Sequence, residues 1–312
     1  MISVVIPTKN SSPFLIECLK SIKKQSYKNI EVIIVAPKKT DLKILAEDFK
    51  AKIVTDEKFT IGNAYAAGAE KANGDIVVFI DDDAFAPQDW LSRISNEFKK
   101  EEVDVVGGDD ILPEKSTEFQ KAAYQVDLAR QSTRSLYGEK AKNKLRATNI
   151  AFRKKTFSKL NFNKNLNGLQ EPELLHRLLK SGHKIKYNPE IFVYHQRRSD
   201  LQSIFHQIYR NGLAKIELIK MHKKLLQHID ILPVLYFILA VFSAVNMFYG
   251  NLLYANVLFS STVIYFIFKP LWILAKTGNY KYYPQLFTII LVRETAYGLG
   301  IIIGAMKNIF RR

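Results

Sequence analysis

From residue 231 to residue 268 the chain runs for 38 residues without an Asp, Glu, Lys, Arg or His. About 20 apolar residues already cross the hydrocarbon core of a bilayer as a helix, so this run is close to two crossings. Gly250 and Asn251 divide it into spans at 231–249 and about 252–274. Lys269 and Pro270 fall late in the second span, where a lysine can snorkel and a proline can kink. A third apolar stretch, 286–306, carries Arg293 and Glu294, charges that inside a membrane face protein or a polar cavity. Gly300 and Gly304 share the spacing that lets another helix approach closely. The loop with Lys276 and Lys281 belongs on the cytoplasmic side by the positive-inside tendency, which agrees with two crossings. A third full crossing would put Lys307, Arg311 and Arg312 outside, so the third stretch is either re-entrant or interfacial, or an exception to that tendency.

The rest of the chain is different in kind. Met1 leads directly into Ile2-Ser3-Val4-Val5-Ile6, a buried-strand pattern without the features of a secretory leader, which places the first 230 residues on the cytoplasmic side. Short β-branched runs at 2–6, 29–35, 53–55 and 76–80 alternate with helical patterns at 13–25, 41–50 and 61–72. Such alternation predicts a layered α/β domain with a mostly parallel sheet, whose ligands bind beyond the carboxyl ends of the strands. Further on, 118–130 and 171–180 read as helices, 148–153 as a strand, and 184–193 as a strand that closes the domain at Tyr194-His195. Residues 199–228 set Leu201, Ile204, Phe205, Ile208, Leu213 and Ile216 at helical spacing among Arg210, Lys215, Lys220, Lys223 and Lys224. A basic amphipathic helix just before a hydrophobic span suits the headgroup layer; the plainer alternative is a surface helix packed on the α/β core. The expected organisation is a catalytic domain at 1–198, amphipathic juxtamembrane helices at 199–229, and a membrane region of two or three apolar helices at 230–312.

Composition removes several classes. The 312 residues are 47% hydrophobic and 24% charged, which excludes a disordered tail protein. A single cysteine, Cys18, excludes a disulfide framework and a cysteine-based zinc site. The net charge of +16 raises the question of nucleic acid. Much of that excess lies beside the apolar spans and in the C-terminal tail, without an aromatic-basic RNA motif, so no nucleic-acid partner is expected and the lipid bilayer is.

The chemistry concentrates at Phe79-Ile80-Asp81-Asp82-Asp83-Ala84. Three carboxylates at the end of an apolar strand repel one another unless a cation is present, and Mg²⁺ or Mn²⁺ prefers such oxygens. Residues i and i+2 of a strand share a face, so Asp81 and Asp83 point toward one ion and Asp82 elsewhere. An idle acidic turn is the alternative, but acidic turns seldom follow five apolar strand residues.

With these residues in view, the chain resembles the inverting family-2 glycosyltransferases of GT-A fold, over about residues 2–212. Ser3-Val4-Val5-Ile6-Pro7-Thr8-Lys9-Asn10 is similar to that family's first strand, and Gly74-Asp75-Ile76-Val77-Val78-Phe79-Ile80-Asp81-Asp82-Asp83 to its Asp-x-Asp strand. Trp90-Leu91 follows at the usual distance. Thr148-Asn149-Ile150-Ala151-Phe152-Arg153 resembles the strand before the acceptor site. Glu171-Pro172-Glu173-Leu174-Leu175-His176-Arg177-Leu178, then Gly182, resembles the Glu-Asp-x-x-Leu-x-x-Arg-Leu helix, and Tyr194-His195 the end of the last strand. The resemblance implies a mostly parallel mixed sheet flanked by helices and a nucleotide-diphosphate sugar donor contacted by Pro7, Thr8, Asn10 and Asp82. It also implies a Mg²⁺ or Mn²⁺ ion on Asp81 and Asp83 that His195 can complete, and a lipid-linked or glycan acceptor.

Three departures stand out. The second strand ends in Val35-Ala36-Pro37-Lys38-Lys39-Thr40-Asp41 instead of an acidic pair that helps hold the nucleoside. Tyr65-Ala66 stands near the place of an Arg-Asn. Gln170-Glu171 stands for Glu-Asp, keeping the carboxylate one methylene longer. Glu171 is the candidate general base, since attack by a sugar hydroxyl requires removal of its proton; its helix N-terminal place is also expected to keep it ionised. Glu173, turned away on the helix, is its nearest competitor. Arg197 and Arg198 are candidates to neutralise the departing diphosphate, because guanidinium forks match phosphate oxygens. The expected activity is inverting transfer from a nucleotide sugar to a hydroxyl of that acceptor, at the cytoplasmic face of the cell membrane. Two alternatives are a polyprenyl-phosphate glycosyltransferase of the dolichol-phosphate sugar synthase type, whose phosphate acceptor needs no base, and a non-catalytic membrane scaffold.

Overall fold

The computed structural model describes residues 1–57, 60–129, 136–157, 160–164 and 166–309. Arg130, the expected end of one helix, and the tail residues Arg311 and Arg312 lie outside the described residues. The chain forms two compact units, one of residues 1–114 and 131–196, the other of residues 115–130 and 197–312.

Strands are β1 (Ile2–Pro7), β2 (Ile30–Ala36), β3 (Ala51–Thr55), β4 (Ile76–Phe79), β5 (Ala84–Phe85), β6 (Val105–Gly107), β7 (Asp110–Ile111), β8 (Leu136–Tyr137), β9 (Ile150–Arg153), β10 (Ile185–Tyr187) and β11 (Val193–His195). Helices are α1 (Pro13–Lys23), α2 (Lys43–Phe49), α3 (Ile61–Lys71), α4 (Trp90–Lys100), α5 (Glu118–Leu128), α6 (Gly138–Lys142), α7 (Lys154–Phe157), α8 (Gln170–Lys180), α9 (Leu201–Met221), α10 (His228–Phe248), α11 (Leu252–Thr277) and α12 (Tyr283–Ile309).

In the first unit, eight strands form one sheet in the order β3-β2-β1-β4-β9-β6-β10-β8. β1 lies parallel to both β2 and β4, whereas β9 runs antiparallel between β4 and β6. This is the expected mixed, mostly parallel sheet. Alternation along β1 decides its two faces. Val4 and Ile6 pack with Leu15, Cys18, Leu19 and Ile22 of α1 and with Trp90, Leu91 and Ile94 of α4. Val5 faces the other way, toward Ala64, Tyr65 and Ala66 of α3 and Leu174, Leu175 and Leu178 of α8. Ser12 starts α1 by accepting the Leu15 N–H at 3.1 Å, and Thr60 caps α3 through the Asn63 N–H.

The expected closing strand at 184–193 is instead two strands in two sheets. β10 ends at Tyr187, the chain turns at Asn188-Pro189 with the Ile191 N–H on the Asn188 carbonyl, and β11 joins β5 and β7 in a second sheet. Pro189 has no N–H for a ladder, which explains the break. Buried Asn149 holds this junction together. Its Nδ2 donates to the carbonyls of Asp109 and Ile191, both at 2.8 Å, and its Oδ1 accepts the Trp90 indole N–H at 2.9 Å. At Gly108 a Cβ would overlap the carbonyl oxygens of Ile191 and Asn188, so only glycine admits the strands this close.

The second unit is helical. α10 and α11 meet at Gly250, which takes a left-handed φ of 76° at the expected turn. Among the described residues, three segments are long and apolar enough to cross a membrane: Asp230–Phe248, Phe259–Thr277 and Tyr280–Ile309. Gly300 and Gly304 do admit another helix, and it is α9: a Cβ on Gly300 would overlap the Tyr209 carbonyl, and one on Gly304 would stand 3.1 Å from Ile216. The amphipathic segment is thus packed on α12. Lys215 of α9 pairs at 2.8 Å with Asp230 of α10, which also accepts the Tyr297 hydroxyl of α12 at 2.7 Å. Glu294 of α12 receives Lys269 at 2.6 Å and the Tyr265 hydroxyl at 2.9 Å, so this charge among apolar residues is answered by protein.

Truncating Asn149 to Ala removes three buried hydrogen bonds and strands two carbonyls. It is expected to lower stability by about 2–4 kcal/mol, read as a fall in the thermal midpoint in detergent.

Candidate active site

The site grows from the carboxyl end of β4. Ile80 continues that strand with its N–H on the Val5 carbonyl at 3.2 Å, and Asp81, Asp82 and Asp83 follow where the sheet ends. Each carboxylate is taken by a different part of the fold. Asp81 accepts the Tyr65 hydroxyl of α3 at 2.5 Å and a short hydrogen bond from Thr148. Asp82 lies 2.5 Å from Thr8 Oγ1, just past β1. Asp83 stands 3.1 Å from Nε2 of His195, at the end of β11.

His195 is held from behind, its Nδ1 3.0 Å from Asp110 Oδ2 of the adjacent β7. The side chains of Asp83, His195 and Asp110 are 19%, 16% and 18% exposed. An Nδ1–H donated to Asp110 leaves the Nε2 lone pair facing Asp83, the arrangement found in histidines that ligate metals. Asp81, Asp83 and His195 offer ligand atoms that all lie within 4.8 Å of one another. Two carboxylates and one imidazole fit Mg²⁺ or Mn²⁺ by donor chemistry.

Burial, reinforced by the Asp83 carboxylate, raises the Asp81 pKa above the ordinary carboxylate value, while His195, Thr148 and Tyr65 pull it back. Burial and Asp81 push the Tyr65 phenol far up, so it stays protonated and donates. Cys18, whose Sγ lies 3.6 Å from the Asp81 carbonyl, is likewise held as a thiol by burial and the three aspartates.

Glu171 occupies the first turn of α8, entered through Leu169 at a left-handed φ of 55°. Its pKa is raised, chiefly by burial; its own N–H and Arg146 pull it down, and Asp81 and Asp110 push it further up. The helix N-terminus therefore does not keep this carboxylate at a low pKa as expected, because desolvation outweighs it. Glu173, the nearest competitor, is engaged elsewhere. It is 2% exposed and forks onto Arg177, Oε1 to Nε at 2.7 Å and Oε2 to NH2 at 2.8 Å. The helical i,i+4 spacing that serves this pair was visible in the motif and went unread.

The remaining candidates are placed as follows. Pro7 ends β1, Thr8 is buried and bridges Asp82 to the Asn10 carbonyl at 2.8 Å, and the Asn10 side chain is exposed. Arg197 belongs to the second unit, 3.4 Å from Asp127, with its guanidinium over the Tyr124 ring and its carbonyl taken by Gln120. Arg198 follows in the same unit, near enough to Arg210 to depress its pKa together with burial. Tyr65, Thr148 and Asp110 are site residues that sequence reasoning did not single out. Tyr65 had registered only as the place of a missing Arg, and Asp110 carried no pattern at all.

Against known proteins, the profile described as Glycosyl transferase family 2 matches residues 3–165. The chain belongs to glycosyltransferase family 2. Dolichyl N-acetyl-alpha-D-glucosaminyl phosphate 3-beta-D-2,3-diacetamido-2,3-dideoxy-beta-D-glucuronosyltransferase of Methanococcus voltae is 27% identical over 242 residues, covering 69% of this chain and 72% of that protein. Glycosyltransferase GlyG of Streptococcus pneumoniae is 29% identical over 35% of this chain, which spans only 38% of its length. Among solved structures, the mannosyltransferase PcManGT from Pyrobaculum calidifontis, in complex with GDP-Man and Mn²⁺, superposes with a TM-score of 0.67 at 17% identity, over 100% of this chain and 87% of that one. The likeness extends to S. aureus TarS 1–349 in complex with UDP-GlcNAc, TM-score 0.52 at 16% identity, over 68% of this chain and 66% of that one. These likenesses show a GT-A-like fold.

The two glutamates of α8 should separate cleanly. Glu173→Gln breaks a buried fork and is expected to cost about 1–3 kcal/mol of stability, whereas Glu171→Gln, which removes a charge that desolvation disfavours, should leave the melting temperature level or higher.

Proposed function

We propose that the protein transfers a sugar from a nucleotide-diphosphate donor to a hydroxyl of a lipid-linked or glycan acceptor, with inversion at the anomeric carbon. The observation that carries this reading is the convergence of Asp81, Asp83 and His195, whose ligand atoms lie within 4.8 Å of one another; Glu171, in the first turn of α8 in the same unit, is assigned as the base. A proton acceptor beside a diphosphate-binding cluster is the equipment for attack by a hydroxyl.

Asp81, Asp83 and His195 Nε2 are the groups that would hold Mg²⁺ or Mn²⁺, and a divalent ion there offsets negative charge on a nucleoside diphosphate leaving group. Asp110 keeps the His195 ring in the tautomer that presents Nε2, and Tyr65 and Thr148 hold the Asp81 carboxylate. Thr8 fixes Asp82, and the end of β1 with Pro7 and Asn10 lies on the donor side of the cluster in this reading. Glu171 takes the proton of the acceptor hydroxyl as its oxygen bonds to the anomeric carbon. The bond from that carbon to the diphosphate breaks, and its electron pair leaves with the nucleotide. A carboxylate whose proton affinity is raised by burial is a better base than a solvated one. Arg197 and Arg198 are assigned to the departing diphosphate on their chemistry alone.

The hydroxyl acceptor is favoured over a bare polyprenyl phosphate because a phosphate oxygen needs no base. The name of the Methanococcus voltae relative, which specifies a dolichyl-phosphate-linked N-acetylglucosamine, supports a lipid-linked sugar as acceptor here. The apolar helices support a membrane-bound enzyme, and Lys276 at the end of α11 with Lys281 beyond it supports a cytoplasmic catalytic unit.

Detergent-solubilised protein, assayed against a panel of nucleotide sugars with Mn²⁺ or Mg²⁺, should lose turnover in chelator and in Asp83→Ala while keeping its fold. Full activity in chelator would reject the metal assignment. Glu171→Gln should slow transfer by about 10²–10⁴ with donor affinity near normal, and NMR of the product should show the inverted anomer. Unimpaired transfer by Glu171→Gln would instead favour a phosphate acceptor.

A further inference from the structure

α12 is the longest and one of the most apolar helices of the chain, 27 residues or about 40 Å. Length and composition alone make it a third crossing. Its neighbours argue otherwise. At its start, Leu286, Ile289 and Ile290 are packed with Ala122 and Val126 of α5, a helix that also carries Glu118, Lys121 and Asp127. Beyond that point α12 runs beside α9, and the contacts climb together. A Cβ on Gly212 would stand 2.5 Å from the Tyr297 carbonyl, Ile216 meets Gly304, and Lys220 Nζ donates to Asn308 Oδ1, whose amide in turn donates to Glu217 at 3.1 Å. The two helices are therefore parallel, in close backbone contact, over the whole C-terminal half of α12.

Whatever depth α12 occupies, α9 occupies too. α9 exposes Gln202, His206, Glu217 and Lys220, and continues into Lys223 and Lys224. Charged, exposed side chains are costly in hydrocarbon, and α5 and α9 together line α12 from Leu286 to Asn308 with helices that bear them. The α10–α11 hairpin shows the opposite character. Phe248 is 85% exposed and Leu253 is 73% exposed at its far end, as lipid-facing residues are. α12 meets α10 near the base of the hairpin, Tyr297 with Asp230 and Gly298 against Pro233, and Glu294 meets Lys269 and Tyr265 in the C-terminal half of α11. Asp230 and Pro233 lie in the first two turns of α10. In the most apolar stretch of α12, 33% of residues are buried against protein, compared with 11% in α10.

We propose that α12 does not cross the bilayer. It lies with α9 as a parallel helix pair at the headgroup layer on the side where the hairpin begins and ends, so that the chain crosses the membrane twice. The partner of this surface is a bilayer face with anionic headgroups, matched by Lys220, Lys223, Lys224 and Lys307. The inference rests on the hairpin crossing the membrane, as proposed above, but not on the transfer reaction. It also returns Lys307 to the same side as Lys276 and Lys281, which removes the conflict with the positive-inside tendency.

Single cysteines placed in the full chain on a Cys18→Ser background test it, at Asn251, Tyr280 and Lys307, three exposed positions. Labelling with a membrane-impermeant maleimide in sealed vesicles of both orientations reports the side of each. The expected result is Tyr280→Cys and Lys307→Cys labelled on one side and Asn251→Cys on the other. Lys307→Cys labelled together with Asn251→Cys would overturn the proposal by showing a third crossing. All three on one side would overturn it as well, by showing that the hairpin does not cross. Sidedness is read without turnover, so failure here leaves the transfer mechanism standing, and an inactive protein leaves this result readable.

Discussion

Three adjacent carboxylates at the end of a buried strand are the constraint around which the catalytic unit is arranged. Like charges this close repel strongly at low dielectric, and a fold that retains them has to supply compensation from elsewhere. Here the compensation comes from four separate elements: Tyr65 on α3 and Thr148 before β9 for Asp81, Thr8 after β1 for Asp82, and His195 on β11 for Asp83. The crossing of β9 between β4 and β6, and the small sheet that carries β11, place these groups at one edge. Asn149 and Gly108 then matter for the site without touching it, because they set how closely the β11 segment approaches.

The second unit solves a different problem with different means. Its helices carry charges at points where they meet, and each is answered by a partner on a neighbouring helix: Lys215 by Asp230, Glu294 by Lys269. Glycines bring α9 and α12 into backbone contact, so close packing adds dispersion contacts along the pair.

Much of the catalytic unit was legible in the sequence because its signals are local. Apolar runs ending in Pro7 or Asp81, the helical pattern at 13–25 and the carboxylate row at 81–83 each require only a few neighbouring residues to be read. The same locality explains the failures. The division of 184–193 into β10 and β11 depends on which sheet each half meets, and the pairing of His195 with Asp110 spans 85 residues of chain. The burial of Glu173 was not readable because it is decided by α8 packing against α3 and the sheet, and the raised pKa of Glu171 was not because desolvation, a tertiary quantity, outweighs the helix terminus. In the membrane region the spans were plain from composition, but which helix would fill the groove at Gly300 and Gly304 was not, since α9 is distant in sequence and amphipathic rather than apolar.

The membership of α5 in the second unit has a consequence for how the protein is made. Residues 115–130 leave the first unit in mid-sequence, and the apolar side of α5, with Ala122 and Val126, is covered by Leu286, Ile289 and Ile290. Between Val126 and Ile290 the ribosome must add 164 residues (290 − 126), which takes about 8–33 s at ordinary rates of synthesis. Cover comes in stages within the second unit, first from Ile204 of α9, then from Ile273 and Leu274 of α11, and last from the α12 residues. A fragment cut short before α12 would lack the last part of that cover, Leu286, Ile289 and Ile290, and keep only the share that α9 and α11 supply.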